Sequence, residues 1–144
     1  MHKKSMIMTF ILLFGFILNL CCQKTSETNQ ESSQTTTKGL VEYMDEYHRV
    51  LRPLMHQALP DKDVAAFKEN APELLKCAEK VAAAEIPAKF AAKKAEVETL
   101  TKSILAKTKT FYEICQSGSE DEILDTFMAA HDEYEALADI VYKL

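Results

Sequence analysis

The chain has 144 residues, 47% apolar and 27% charged, enough for one packed domain and too apolar for global disorder. With only 3 Gly it lacks the glycines of phosphate-cradling and dinucleotide-binding loops. The net charge of −5, with Arg49 and Arg52 as the sole arginines, excludes a nucleic-acid binder that clamps phosphates.

Residues 1–20 read as an export signal: Lys3 and Lys4 form a basic start, Met6–Leu18 is an apolar run, and the sequence turns polar after Cys21-Cys22. The run is shorter than the roughly 20 apolar residues of a spanning helix. Leu18-Asn19-Leu20-Cys21 resembles the lipobox of bacterial lipoproteins. That resemblance implies cleavage, a lipidated Cys21 (or Cys22), and a protein anchored by lipid in the cell envelope, facing the periplasm or the outer surface. Losing Lys3 and Lys4 leaves 15 basic against 22 acidic residues, a charge of −7. An anionic body gains nothing electrostatically from an anionic bilayer, so the attachment is expected through the lipid. Residues 21–38 continue as a spacer. The stretch Gln23–Lys38 holds no apolar side chain and predicts a disordered tether.

The folded domain is placed at residues 39–144. Leu40, Val41, Met44, Tyr47, His48, Leu51, Leu54 and Met55 recur at three- and four-residue steps, which predicts a helix ending before Pro60 and kinked at Pro53. Asp61 and Asp63 are caps for a second helix, whose stripe runs from Val64 to Ala82, with a bend or break after Asn70 because of Pro72. Ile86-Pro87 ends it. A third helix is predicted from about Ala88 to Cys115. Gln116-Ser117-Gly118-Ser119 is a turn, with Gly118 as C-cap and Ser119-x-x-Glu122 as a capping box for the last helix. No segment alternates with period two. The fold expected is all-α: an antiparallel up-down-up-down four-helix bundle behind a signal peptide and spacer.

Cys77 and Cys115 lie at heights too different for a disulfide and read as small buried residues. The absence of C-x-x-C removes thioredoxin-like redox chemistry and covalent haem attachment. His48 and His131 both fall on predicted inward faces, two residues of helix height apart, or about 3 Å, while His56 lies near the rim. With Met44 and Met128 nearby they are donor types for a transition-metal ion or haem iron. The other reading is a pair of core histidines satisfied by Tyr47, Tyr134, Asp132 or backbone carbonyls.

The passage from Leu59 to Pro87 and the segment Ala130-His131-Asp132-Glu133-Tyr134 are similar to the soluble four-helix-bundle cytochromes of the b-type and c-prime class. The resemblance implies His131 as axial ligand and Met44 as the methionine from the first helix. Helical periplasmic metal-sensing or metal-buffering proteins offer an equal comparison. No nucleophile–base arrangement and no di-iron carboxylate pattern is present, so an enzyme is not expected. Two functions are carried forward. One is a lipid-anchored bundle holding a metal ion or haem between the first and fourth helices, for electron transfer, sensing or buffering. The other is a cofactor-free envelope lipoprotein with a structural or partner-binding role.

Overall fold

The computed structural model describes residues 39–143; the expected signal, spacer and Cys21-Cys22 anchor lie outside them. Helix α1 (Leu40–Pro53) runs on through a π-helical turn (Leu54–Ala58) and one α-turn (Leu59–Asp61). It is followed by α2 (Val64–Ala83), a 3-10 segment (Ala88–Lys93), α3 (Lys94–Ser117) and α4 (Glu120–Lys143). No strand occurs among the described residues.

The prolines act differently from expectation. Pro53 cannot donate to the carbonyl four residues back and crowds that turn. The helix answers by widening to i→i+5 pairing over the next five residues rather than by ending. It then passes Pro60, which sits in the first turn of the Leu59–Asp61 segment and needs no N–H there, and stops at Asp61. Lys62 reverses the chain in the left-handed region (φ 51°), and the Asp63 side chain caps α2 by accepting from Ala66 N–H at 3.1 Å. The break expected after Asn70 does not occur, since α2 is continuous through Pro72. Pro72 is exposed, whereas Phe67, Ala71 and Leu74 on the opposite side are fully buried. Packing of that face holds the helix together across a missing hydrogen bond. α3 begins six residues later than expected, after the 3-10 turn in which Phe90 N–H reaches Pro87 O at 2.9 Å.

Gly118 does close α3, its N–H bonding Ile114 O at 2.6 Å, but in an extended conformation (φ −76°, ψ 164°). Space, not a left-handed backbone, demands glycine there: a Cβ would stand 2.5 Å from Ile114 Cγ2 and 2.8 Å from Ile114 O. The capping box is present. Glu122 Oε2 accepts from Ser119 N–H and Ser119 Oγ–H, both at 2.8 Å, and these bonds hold the Glu122 carboxyl below its ordinary range.

Buried positions repeat at steps of four and three: Leu40, Met44, Tyr47, Leu51, Leu54 and Ala58 on the first helical stretch, and Val97, Thr101, Ile104, Thr108, Phe111 and Cys115 on α3. This seven-residue repeat gives the near-aligned knobs-into-holes packing of bundles. Glu46, near the start of α1, pairs with Lys80 near the end of α2 at 2.7 Å. Phe67 at the start of α2 meets Phe111 at the end of α3, and Phe111 meets Phe127 at the start of α4. The two aromatic contacts each join the first half of one helix to the second half of its neighbour in sequence. Phe67 and Phe127 complete the aromatic triad at 4.8 Å between ring centres. Each fully buried Phe is worth about 1.5–3 kcal/mol of burial. One turn along α3 from Phe111, Thr108 shares a 2.8 Å hydrogen bond with Tyr47 of α1.

Candidate site at the α1–α4 edge

The edge between α1 and α4 is built of rings. Tyr134, one turn beyond His131 on α4 and only 3% exposed, stacks with Tyr47 (5.6 Å, 25°) and with His48 (5.3 Å, 21°). Its hydroxyl lies beside that of Tyr142, which donates to Asp45 Oδ1 at 2.6 Å. Burial, then the Asp45 carboxylate, holds the Tyr142 phenol far above its usual range although the side chain is half exposed. Burial likewise raises Tyr134 and Tyr47, so the phenols of this cluster stay neutral hydrogen-bonding groups.

His48 does not point inward as expected. The seam of α1 steps from Met44 to Tyr47 and on to Leu51, which turns His48 onto the exposed flank, where its ring covers Tyr134. Met44 is completely enclosed and Met128 half-buried. Met44 and His48 are i,i+4 neighbours on α1, but Met44 lies inside the seam and His48 at its exposed edge. His56 is exposed beside Arg52 and Gln57.

His131 is largely buried, its side chain 17% exposed. Nδ1 has no hydrogen-bond partner and no solvent access. Asp132 Oδ1 lies 3.7 Å from Nδ1 and Glu135 Oε1 3.7 Å from Nε2, both beyond hydrogen-bonding reach. An unpaired buried nitrogen of this kind costs about 1–3 kcal/mol. His48 stands at the level of Tyr134, three residues along α4 from His131, which is about 4.5 Å of rise. The two imidazoles thus border the same tyrosine, His48 from α1 and His131 from the preceding turn of α4. Tyr134 meets His48 with its ring, the Tyr47 hydroxyl is bonded to Thr108, and Asp132 stays 3.7 Å away, so none of the expected satisfiers, backbone carbonyls included, bonds His131 Nδ1.

A porphyrin held by Met44 and His131 would need an open slot between α1 and α4, where the Tyr47 and Tyr134 rings stack. A single ion asks for less room. Among the described residues no three His, Cys, Asp or Glu groups stand in ion-holding geometry as they are. His131 and Glu135, spaced i,i+4, are a helix-face pair to which His48 is the nearest further imidazole. Cys77 and Cys115 are buried and unbridged. Burial raises both thiols, Cys115 to about 11, which keeps them protonated.

Clefts lie elsewhere: one of about 400 Å³ between the end of α2 and the start of α3, beside Glu85, Ile86, Lys94 and Lys102, and one of about 350 Å³ beside the π-turn, near Asp61 and Asp63. Sequence reasoning did not find the Asp45–Tyr142 pair. The one available signal was position, since the expected up-down-up-down bundle brings the start of α1 to the end of α4.

The fold and this edge define an all-α four-helix bundle whose first and last helices are joined by stacked aromatic rings. No protein-family model matches the chain, and no match to it was found among curated proteins or solved structures.

Proposed function

We propose that the protein is an exported, lipid-anchored bundle that binds a divalent transition-metal ion at the α1–α4 edge, in a sensing or buffering role. The ligands on this reading are His131, a carboxylate beside it (Glu135 or Asp132) and His48 across the seam. Imidazole nitrogen and carboxylate oxygen suit copper(II), nickel(II) or zinc(II). One observation carries the reading: the His131 Nδ1 is an enclosed ring nitrogen without a hydrogen-bond partner, and two carboxylates lie beside its ring. A bound cation would offset a cost that the protein otherwise bears unrelieved. Attachment to the membrane rests on the apolar run ending at Cys21-Cys22, and replacing both with Ser should move the protein from membranes to a soluble exported pool.

The site is tested by titrating each ion while following the melting temperature. Wild type should gain about 2.7 kcal/mol at a ligand concentration 100 times Kd. His131→Ala should lose this gain, His48→Ala should reduce it, and His56→Ala should keep it. If wild type shifts no more than His131→Ala with all three ions, the metal reading fails. The protein is then better read as a cofactor-free, partner-binding envelope lipoprotein.

A further inference from the structure

The α1–α4 edge carries a device that the metal reading does not by itself require. His48 is exposed on the flank of α1, where an imidazole is free to sample several rotamers, yet its ring lies flat on Tyr134. What fixes Tyr134 is visible at both ends of its side chain. Its ring is backed by the fully buried Tyr47, itself anchored to Thr108 on α3. Its hydroxyl lies beside that of Tyr142, whose own proton goes to Asp45 on α1, one helical turn before His48. The chain Asp45–Tyr142–Tyr134 therefore leaves α1, crosses to the end of α4, returns along α4 and meets α1 again at His48. Tyr142 is also the only large apolar side chain substantially exposed among the described residues, 49%. Its hydroxyl makes the hydrogen bond between α4 and Asp45, and so ties the two helices.

We infer that Tyr142 and Asp45 are positioning residues: their hydrogen bond seats Tyr134, which holds His48 in place and so sets the affinity of the ion site. This inference rests on the metal reading for its effect on affinity, but not for its effect on His48. Neither residue touches the ion; both act through Tyr134. Partners that orient a metal ligand typically change affinity by about 10- to 100-fold when removed.

The test compares wild type with Tyr142→Phe, which keeps the ring and deletes the hydroxyl, and with Asp45→Asn. Lys80→Gln is the control, because it cuts a different polar tie of α1, the ion pair with Glu46. Two quantities are read: the His48 ring resonances of the metal-free protein by NMR, and copper(II) affinity by calorimetry. Tyr142→Phe and Asp45→Asn should shift the His48 resonances, as the stacking on Tyr134 loosens, and weaken copper(II) binding about 10-fold or more. Helical content should be unchanged, and Lys80→Gln should move neither quantity. His48 resonances that stay in place in Tyr142→Phe overturn the inference, as does a Lys80→Gln variant that weakens copper as much, since general loosening of α1 would then suffice. A wild type that binds no copper overturns the metal reading alone, and the metal-free spectra still decide whether the clasp seats His48.

Discussion

Deleting either hydroxyl of the Tyr47–Thr108 pair should give unequal losses, and the inequality tests how this core is held. Both residues are fully buried and their oxygens are 2.8 Å apart. In Tyr47→Phe the stranded Thr108 hydroxyl has a fallback, because a helical threonine can turn to the carbonyl four residues back, here Ile104. The cost should be about 1 kcal/mol. In Thr108→Val the Tyr47 phenol, which burial already keeps neutral, has no such carbonyl on its own helix within reach of its long ring. It is left unsatisfied, at about 2–3 kcal/mol. The double variant removes both groups together and should cost less than Thr108→Val alone. Thermal melts resolve this easily, since about 1 kcal/mol corresponds to about 4 °C in a domain of this size. Urea titrations with an unchanged slope would confirm that stability, and not compactness, has moved. Equal single losses, or a double variant equal to their sum, would refute the claim that the two hydroxyls satisfy one another.

Two other substitutions follow from the fold. Pro72→Ala returns an N–H to an exposed position inside continuous α2 and should stabilise the protein by about 1–3 kcal/mol, less whatever the proline gained by restricting the unfolded chain; a lower melting point would contradict the packing account of that helix. Ser119→Ala should let the Glu122 carboxyl titrate closer to its ordinary 4.5, followed by NMR. The Glu122 value is depressed in the folded protein, so its stabilisation is present above pH 4.5 and lost as pH falls through the lowered value. The wild-type advantage over Ser119→Ala should therefore shrink on acidification, and a gap that widens instead would show the carboxylate is not what stabilises the turn.

What the sequence revealed and what it hid divide along a physical line. Local patterns were legible. Most of the apolar stripes at three- and four-residue steps, the Asp63 cap and the Ser119–Glu122 box each involve residues within a turn or two of one another, and these are where they were expected. Pro72 misled because the cost of a lost helical bond is local, while the compensation from Phe67, Ala71 and Leu74 comes from other helices. His48 misled for a related reason. From Met44 a stripe can continue at Tyr47 or His48, and the choice went to the residue whose hydroxyl finds Thr108, 61 positions away. The polar tie that shapes the candidate site joins residues 97 positions apart, and no window along the chain contains both.

The narrow joint at Gly118 and Ser119 also bears on the order in which the bundle comes together. Only these two residues separate α3 from α4, so the two helices meet after a very small loop-closure loss, and their shared seam, with Phe111 on Phe127, is rich in near neighbours along the chain. That helical hairpin is the natural place for a folding nucleus. The Tyr47–Thr108 bond and the Tyr142–Asp45 clasp span far longer loops and close afterwards. Weakening the Phe111–Phe127 contact should therefore chiefly slow folding, whereas cutting the clasp should leave the folding rate nearly untouched and hasten unfolding. The helix that carries His48 would then be the last to dock and the first to leave.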